Sequence, residues 1–131
     1  MSNRLVVIDF ETTGLSTNGG DRAIEVGAVS IEQGRITDSF QSLINTGVPV
    51  SSFIENYTGI TNLMVQNAPK AEQVMLEFAG FVGETPLVAH NASFDRRFLI
   101  AEVQRIGQDY RQAFGCSMLA ARRVYPDAPN H

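Results

Sequence analysis

Two acids one residue apart, Asp9 and Glu11, follow the short apolar run Leu5-Val6-Val7-Ile8 and precede Thr12-Thr13-Gly14-Leu15. The run is branched and uncharged, which reads as a strand buried on both faces. Strand side chains alternate, so the two carboxylates leave the same face, about 6 to 7 Å apart by the strand rise. Two acids in that position are unfavourable unless something positive lies between them. A third acid, Asp95, stands in His90-Asn91-Ala92-Ser93-Phe94-Asp95, where the apolar run Leu87-Val88-Ala89 passes into a helical pattern. At a helix N-terminus an aspartate is favoured by the dipole whatever else it does. Ligands of open α/β sheets gather beyond the carboxyl ends of the strands, however, and Asp9, Glu11 and Asp95 could converge there. Three hard oxygen donors suit Mg²⁺ or Mn²⁺ far better than zinc. Such ions bridge phosphates, activate water and stabilise leaving oxygens. Backbone amides of the Thr12-Thr13-Gly14 turn could meet a terminal hydroxyl or phosphate.

The surrounding pattern supplies elements to carry these residues. Ser16 to Asp21 is turn chemistry and reads as an exposed loop. Ala23 to Ile31 reads as a strand with Ile24, Val26 and Ala28 on one face and Val29 and Ile31 on the other. Glu32-Gln33-Gly34 is a hairpin turn, and Arg35 to Ile44 returns with Ile36, Phe40 and Ile44 alternating. Residues 47–52 form a loop, and Thr61 caps a short helical turn through Leu63 and Met64. Pro69 opens a longer helix whose apolar face is Ala71, Val74, Met75, Phe78 and Val82. Leu87 to His90 is a short buried strand, and Ser93 caps a helix from Phe94 to Ile106 that Gly107 ends. Ala113 to Cys116 is a further strand, and Ser117 caps a last helix to Tyr125, stopped by Pro126. Three strands in an antiparallel meander, then helix and strand in alternation, predict an α/β mixed sheet with helices on its faces.

Composition bounds the function without naming it. The 131 residues make one domain of ordinary globular composition, with 44% hydrophobic and 18% charged residues. No apolar run approaches the roughly 20 residues of a membrane span, so no membrane partner is expected. The single cysteine, Cys116, excludes an internal disulfide, fits a reducing cytoplasm, and reads as a small core residue. A net charge of −4 argues against a protein that coats nucleic acid nonspecifically. It leaves room for an enzyme acting on nucleic acid, because clustered metal-binding acids lower the formal charge.

In combination these motifs carry a resemblance. Asp9-Phe10-Glu11-Thr12-Thr13-Gly14-Leu15 resembles the first motif of the DEDD 3'–5' exonucleases, and His90-Asn91-Ala92-Ser93-Phe94-Asp95 resembles their second. Ile24 to Val29 resembles their second strand, and Gly59-Ile60-Thr61 with Ala68-Pro69 resembles the segment between the motifs. The pattern is similar to the DEDDh branch, which includes the proofreading epsilon subunit of bacterial replicative DNA polymerase, from Leu5 to about Pro126. The resemblance implies an RNase H-like fold and two-metal hydrolysis that releases nucleotides from a 3' end. It makes Asp9, Glu11 and Asp95 the catalytic metal ligands, with Asp9 touching both Mg²⁺ or Mn²⁺ ions. Thr12 meets the terminal hydroxyl through its backbone, beside Thr13 and Gly14. Leu15 wedges against the last bases, and His90, Asn91 and Phe94 border the terminal nucleotide. The expected partners are a single-stranded or frayed 3' end of DNA and a polymerase subunit.

One part of the family pattern is missing. The family completes its site with a third motif, a histidine followed about five residues later by an aspartate, on a downstream helix. His90 belongs to the second motif, and His131 is the last residue. The chain is therefore expected to be an incomplete domain lacking its C-terminal helices and its general base. Apolar surface near Asp9 is then expected to be exposed, giving marginal stability or a homodimer. A module that holds a nucleic-acid end or a polymerase subunit without cutting is the alternative reading. DNA and RNA stay open as substrates, because the motifs show no contact to a 2'-hydroxyl. Glu25 reads as a structural hydrogen-bonding residue, Met64, Met75 and Met118 as core, and Arg96, Arg97, Arg122 and Arg123 as solvated helix faces.

Overall fold

The computed structural model describes residues 4–116. Three antiparallel strands open the chain: β1 (Arg4–Thr12), β2 (Ala23–Glu32) and β3 (Arg35–Leu43). The β2–β3 connection is two residues long, with Gln33 at φ 52° and Gly34 at φ 77°. Positive φ at both central positions matches the twist of the flanking strands, and the second position accordingly holds glycine. Helices α1 (Ser52–Thr58), α2 (Asn62–Gln66) and α3 (Ala71–Val82) follow, then β4 (Leu87–Ala89), α4 (Ala92–Arg105) and β5 (Phe114–Cys116). The sheet runs β3-β2-β1-β4-β5, with β4 parallel to both β1 and β5. This is the expected mixed sheet: a meander on one side and βα-linked parallel strands on the other.

The core lies on one face of that sheet. Val6, Ile8 and Phe10 of β1 and Val26 and Ala28 of β2 pack against Val74, Met75 and Phe78 of α3 and Phe98 and Leu99 of α4. A smaller cluster of Ile24, Val50, Ile60 and Val65, with Ile54 against it, anchors α1 and α2. Burial in β1 therefore alternates, and the expectation of a strand buried on both faces is wrong. Val6 is 0% exposed and Leu5 is 41% exposed. Among the described residues no helix covers the face that carries Leu5, Val7, Asp9 and Glu11.

Several local expectations are corrected by packing. Ile36 is 70% exposed, because β3 is an edge strand whose N-terminal half extends past the helical layer. Met64 is also exposed, on the outer side of α2, whereas Met75 is buried as expected. Helix α1 is an element that the residue pattern left as a gap, although Ser51 caps it by accepting from the Ile54 amide. Helix α4 starts at Ala92 with Asn91 in the cap position, ahead of the expected Ser93 cap. Thr61 does cap α2, accepting from the Met64 amide. The expected helix 117–125, with Met118, Arg122 and Arg123, lies outside the described residues, as does the Cys116 side chain.

The asymmetry between the two faces predicts a contrast in stability. Phe98→Ala removes a ring at 0% exposure and should lower unfolding free energy by about 3–5 kcal/mol. Ile36→Ala should change it by no more than about 0.5 kcal/mol. Urea denaturation followed by circular dichroism checks both.

Candidate functional site

Strand β1 extends past its short parallel partner. Only Val6 and Val7 pair with β4, so the Phe10 amide meets no strand on that side. Asp95, in the first turn of α4, fills the gap: its Oδ1 accepts a hydrogen bond from the Phe10 amide at 3.1 Å. This contact brings the second acidic motif against the first. Asp95 is 4% exposed, while Asp9 is exposed and Glu11 half-buried on the open face of β1.

The three carboxylates feel one another. Burial pushes the Asp95 carboxyl up to about 6; the Phe10 amide opposes the shift, and the charges of Asp9 and Glu11 add to it. Glu11 is likewise raised, first by burial, then by Asp9 and by Glu25 directly opposite on β2. Glu25 is held by the Gln41 side chain, which donates to its Oε2 at 3.1 Å, in keeping with the expected structural role. Among the described residues, however, no three His, Cys, Asp or Glu side chains are grouped closely enough to hold an ion as they stand. The sequence thus identified acids that share a field, arranged more loosely than a finished cage. Their chemistry still fits a hard divalent cation, because all three donors are carboxylates that repel one another without one.

Beyond Glu11 the pairing slips: Glu11 faces Glu25, but Thr12 faces Ala23. Such a break turns a strand end away from the ladder. The Thr12 hydroxyl donates to the Gly14 carbonyl at 2.6 Å, and the Thr13 amide donates to the Arg22 carbonyl at 2.9 Å. Leu15 is left projecting at 76% exposure.

Asp9, Glu11, Thr12, Thr13, Gly14, Leu15, Asn91 and Phe94 line one cleft. Asp95 lies behind it under Phe10, and His90, exposed at the end of β4, is not among the lining residues. The opposite wall is one that sequence reasoning missed. Phe53 and Tyr57 of α1, 72% and 78% exposed, stack at 6.1 Å between centroids and 6° between planes. Two aromatic residues four apart just after a capping serine were the available signal. Phe94 is half-buried against Phe98, with the Arg97 guanidinium 5.9 Å from its ring centre. Arg96 and Arg97 are exposed, as expected for solvated helix positions.

The arrangement puts carboxylates at one end of a cleft, with the Thr12–Gly14 turn beside them and flat ring faces along it. The family model described as Exonuclease matches residues 6–131. The chain is 39% identical over 131 residues to the DNA polymerase III PolC-type of Caldanaerobacter subterraneus subsp. tengcongensis, covering 100% of this chain and 9% of that protein. It is 42% identical over 120 residues to the DNA polymerase III PolC-type of Thermotoga maritima, covering 91% of this chain and 9% of that one. The chain therefore spans a small fraction of these relatives. The structure of Exonuclease X in complex with 5' overhanging duplex DNA superposes with a TM-score of 0.77 at 31% identity, covering 97% of this chain and 68% of that one. The resemblance read from the two acidic motifs therefore holds, and this chain belongs to the exonuclease family.

Proposed function

We propose that this chain is a metal-dependent 3'–5' exonuclease domain that trims the 3' end of DNA in the service of a replicative polymerase. The observation that carries the reading is the joining of the two acidic motifs: Asp95 is bonded to β1 between Asp9 and Glu11, which line a cleft with an aromatic wall. Its assignment to DNA and to a polymerase is supported by the names of its relatives, DNA polymerase III PolC-type.

In this reading Asp9, Glu11 and Asp95 hold Mg²⁺ or Mn²⁺, which when bound neutralise charge building on the scissile phosphate. The loop residues Thr12 to Gly14 present backbone groups to the terminal hydroxyl, and Leu15 separates the terminal base from its neighbour. Phe53, Tyr57 and Phe94 offer ring faces to unstacked bases, a sequence-tolerant grip worth about 1–3 kcal/mol per base. The reaction also needs a base for the proton of the attacking water. Neither His90, outside the cleft lining, nor His131 is matched to that task by the motifs. General-base catalysis contributes about 10² to 10⁴ in rate, so residues 1–131 alone should be slow by that factor.

A second reading, an exonuclease-like module that binds an end without cutting, draws on the exposed ring pair Phe53 and Tyr57 in the cleft, which can grip bases without any reaction. One experiment separates the two. A 5'-labelled single strand is incubated with Mn²⁺ and either this chain or a chain extended C-terminally through a histidine–aspartate motif. Trimming from the 3' end by the extended protein, abolished by Asp9→Ala, is expected; end binding without trimming in the extended protein supports the second reading and sinks the first.

The aromatic wall gives a further outcome. Tyr57→Ala should weaken single-strand binding by about 1–3 kcal/mol in a fluorescence anisotropy titration, with melting temperature nearly unchanged because the ring is 78% exposed.

The charge arrangement gives another. Asp95 binds its proton more tightly in the folded chain than in the unfolded one, so its ionisation opposes folding as pH rises from about 4 through about 6. In chelator at pH 7.5, Asp95→Asn should therefore stabilise the protein by on the order of 2 kcal/mol, and by almost nothing below pH 4. Added Mn²⁺ should reverse the order, stabilising the unsubstituted chain more than the variant.

A further inference from the structure

Between Leu15 and β2 the chain makes an exposed turn, closed by the Asp21 amide donating to the Ser16 carbonyl at 3.0 Å. The two residues that follow the turn hold both ends of the site. The Asp21 carboxylate accepts from the Thr13 hydroxyl through Oδ1 and from the Ser16 amide through Oδ2, both at 3.0 Å. It therefore grips the loop on either side of Gly14 and Leu15. A Cβ at residue 14 would lie 2.6 Å from the Asp21 Cγ, inside van der Waals contact, so only glycine lets the loop close on that carboxylate. Arg22 reaches the other way. Its amide donates to the Thr13 hydroxyl, while its Nε and Nη2 donate to Oε2 and Oε1 of Glu102, each at 2.9 Å. The Ala23 amide adds a bond to the same carboxylate at 3.3 Å.

Glu102 is 1% exposed and follows Asp95 by seven residues, two turns along the same buried stripe of α4. Helix α4 is thus pinned at two points of one face: Asp95 on the Phe10 amide and Glu102 on Arg22 and Ala23. Thr13, bonded to both Asp21 and Arg22, joins that helix to the loop that carries Thr12, Gly14 and Leu15. We propose that Asp21, Arg22 and Glu102 are positioning residues, a brace that sets the end-binding loop in register with the helix bearing Asp95. The inference rests on the exonuclease reading and assigns the brace to recognition of the 3' terminus. A buried bidentate pair is weak evidence of stability, since apolar residues of similar volume often replace one without loss. It does fix geometry, because the planar guanidinium fork admits one orientation of its carboxylate. Misplacing a substrate-holding group by about 1 Å can lower rate by about 10²-fold.

The test uses chain 1–131 and labelled single strands ending in a 3'-hydroxyl or a 3'-phosphate, with Ca²⁺ as the cation. Anisotropy gives the preference for the hydroxyl end, and a separate Mn²⁺ titration gives metal affinity. Asp21→Ala is expected to reduce the end preference by about tenfold or more, with Mn²⁺ affinity changed less than about twofold, whereas Asp9→Ala weakens Mn²⁺ binding. Gly14→Ala should give the same loss as Asp21→Ala, and the double variant no more than either, because both act on one contact. Glu102→Gln should act in the same direction; Asp21 lies in a surface loop, so its variant reports even where Glu102→Gln unfolds. A folded Asp21→Ala chain that keeps the full end preference, or additive losses in the double variant, would overturn the brace alone. An unsubstituted chain with no end preference would overturn the exonuclease reading and the brace with it.

Discussion

The hydrogen bond from the Phe10 amide to Asp95 is the contact on which the site depends, and it exists because two strands differ in length. Strand β4 is three residues long and its pairing with β1 stops at Val7, opposite Val88, so the Phe10 amide is left without a ladder partner on that side. A buried backbone amide must find an acceptor, and a carboxylate is a strong one. Placing that carboxylate at the first turn of α4 adds the favourable end of the helix dipole. Burial and the neighbouring acids nonetheless raise its proton affinity. Structure and chemistry are set by the same residue: the group that closes the edge of β1 also completes the acidic set.

That dependence explains which parts of the fold were legible in the sequence. The three-strand meander, a hairpin turn at Glu32-Gln33-Gly34 and the α3 stripe follow from period and turn chemistry, and all three appear, with Glu32 still in β2 and the turn narrowed to Gln33 and Gly34. The acids were conspicuous in the sequence for another reason: two carboxylates after an apolar strand have no ordinary structural use. Burial on both faces of β1 was misread, because a run of four apolar residues does not tell a covered face from an open one. Ile36 was misread for a related reason: alternation identifies a face but says nothing of how far the helical layer reaches along an edge strand.

The missed features share a physical origin. Helix α1 is seven residues long and contains no fully buried side chain, so it has no apolar stripe to reveal it. Its stability comes from a serine cap, a glycine at φ 79° that ends it, and the small cluster against which Ile54 packs. Phe53 and Tyr57 therefore face the cleft with little structural duty. The Arg22–Glu102 pair was equally invisible, since 80 residues separate its members and neither belongs to a recognisable motif. Tertiary partners of this kind are set by topology, and the β2 start meets the C-terminal part of α4 only once the sheet order is known.

The charge distribution decides what kind of nucleic-acid contact such a site can make. Fourteen acids against ten basic residues give a net charge of −4, and two of the acids, Asp9 and Glu11, line the cleft with Asp95 buried beside them. A polyanion gains no long-range attraction from that surface, so counterion release cannot dominate its binding as it does for basic proteins. On the proposed exonuclease reading, affinity would come from short-range terms: ring faces at Phe53 and Tyr57, backbone groups of the Thr12–Gly14 loop, and cations held between acid and phosphate. All of these act over one or a few nucleotides. On the proposed exonuclease reading, the same feature that makes the bare site unfavourable, acids with no counter-charge, would confine binding to a strand end that brings a phosphate and a cation together. A basic groove would bind the length of the strand, whereas an acidic cleft with an aromatic wall is suited, on that reading, to its terminus.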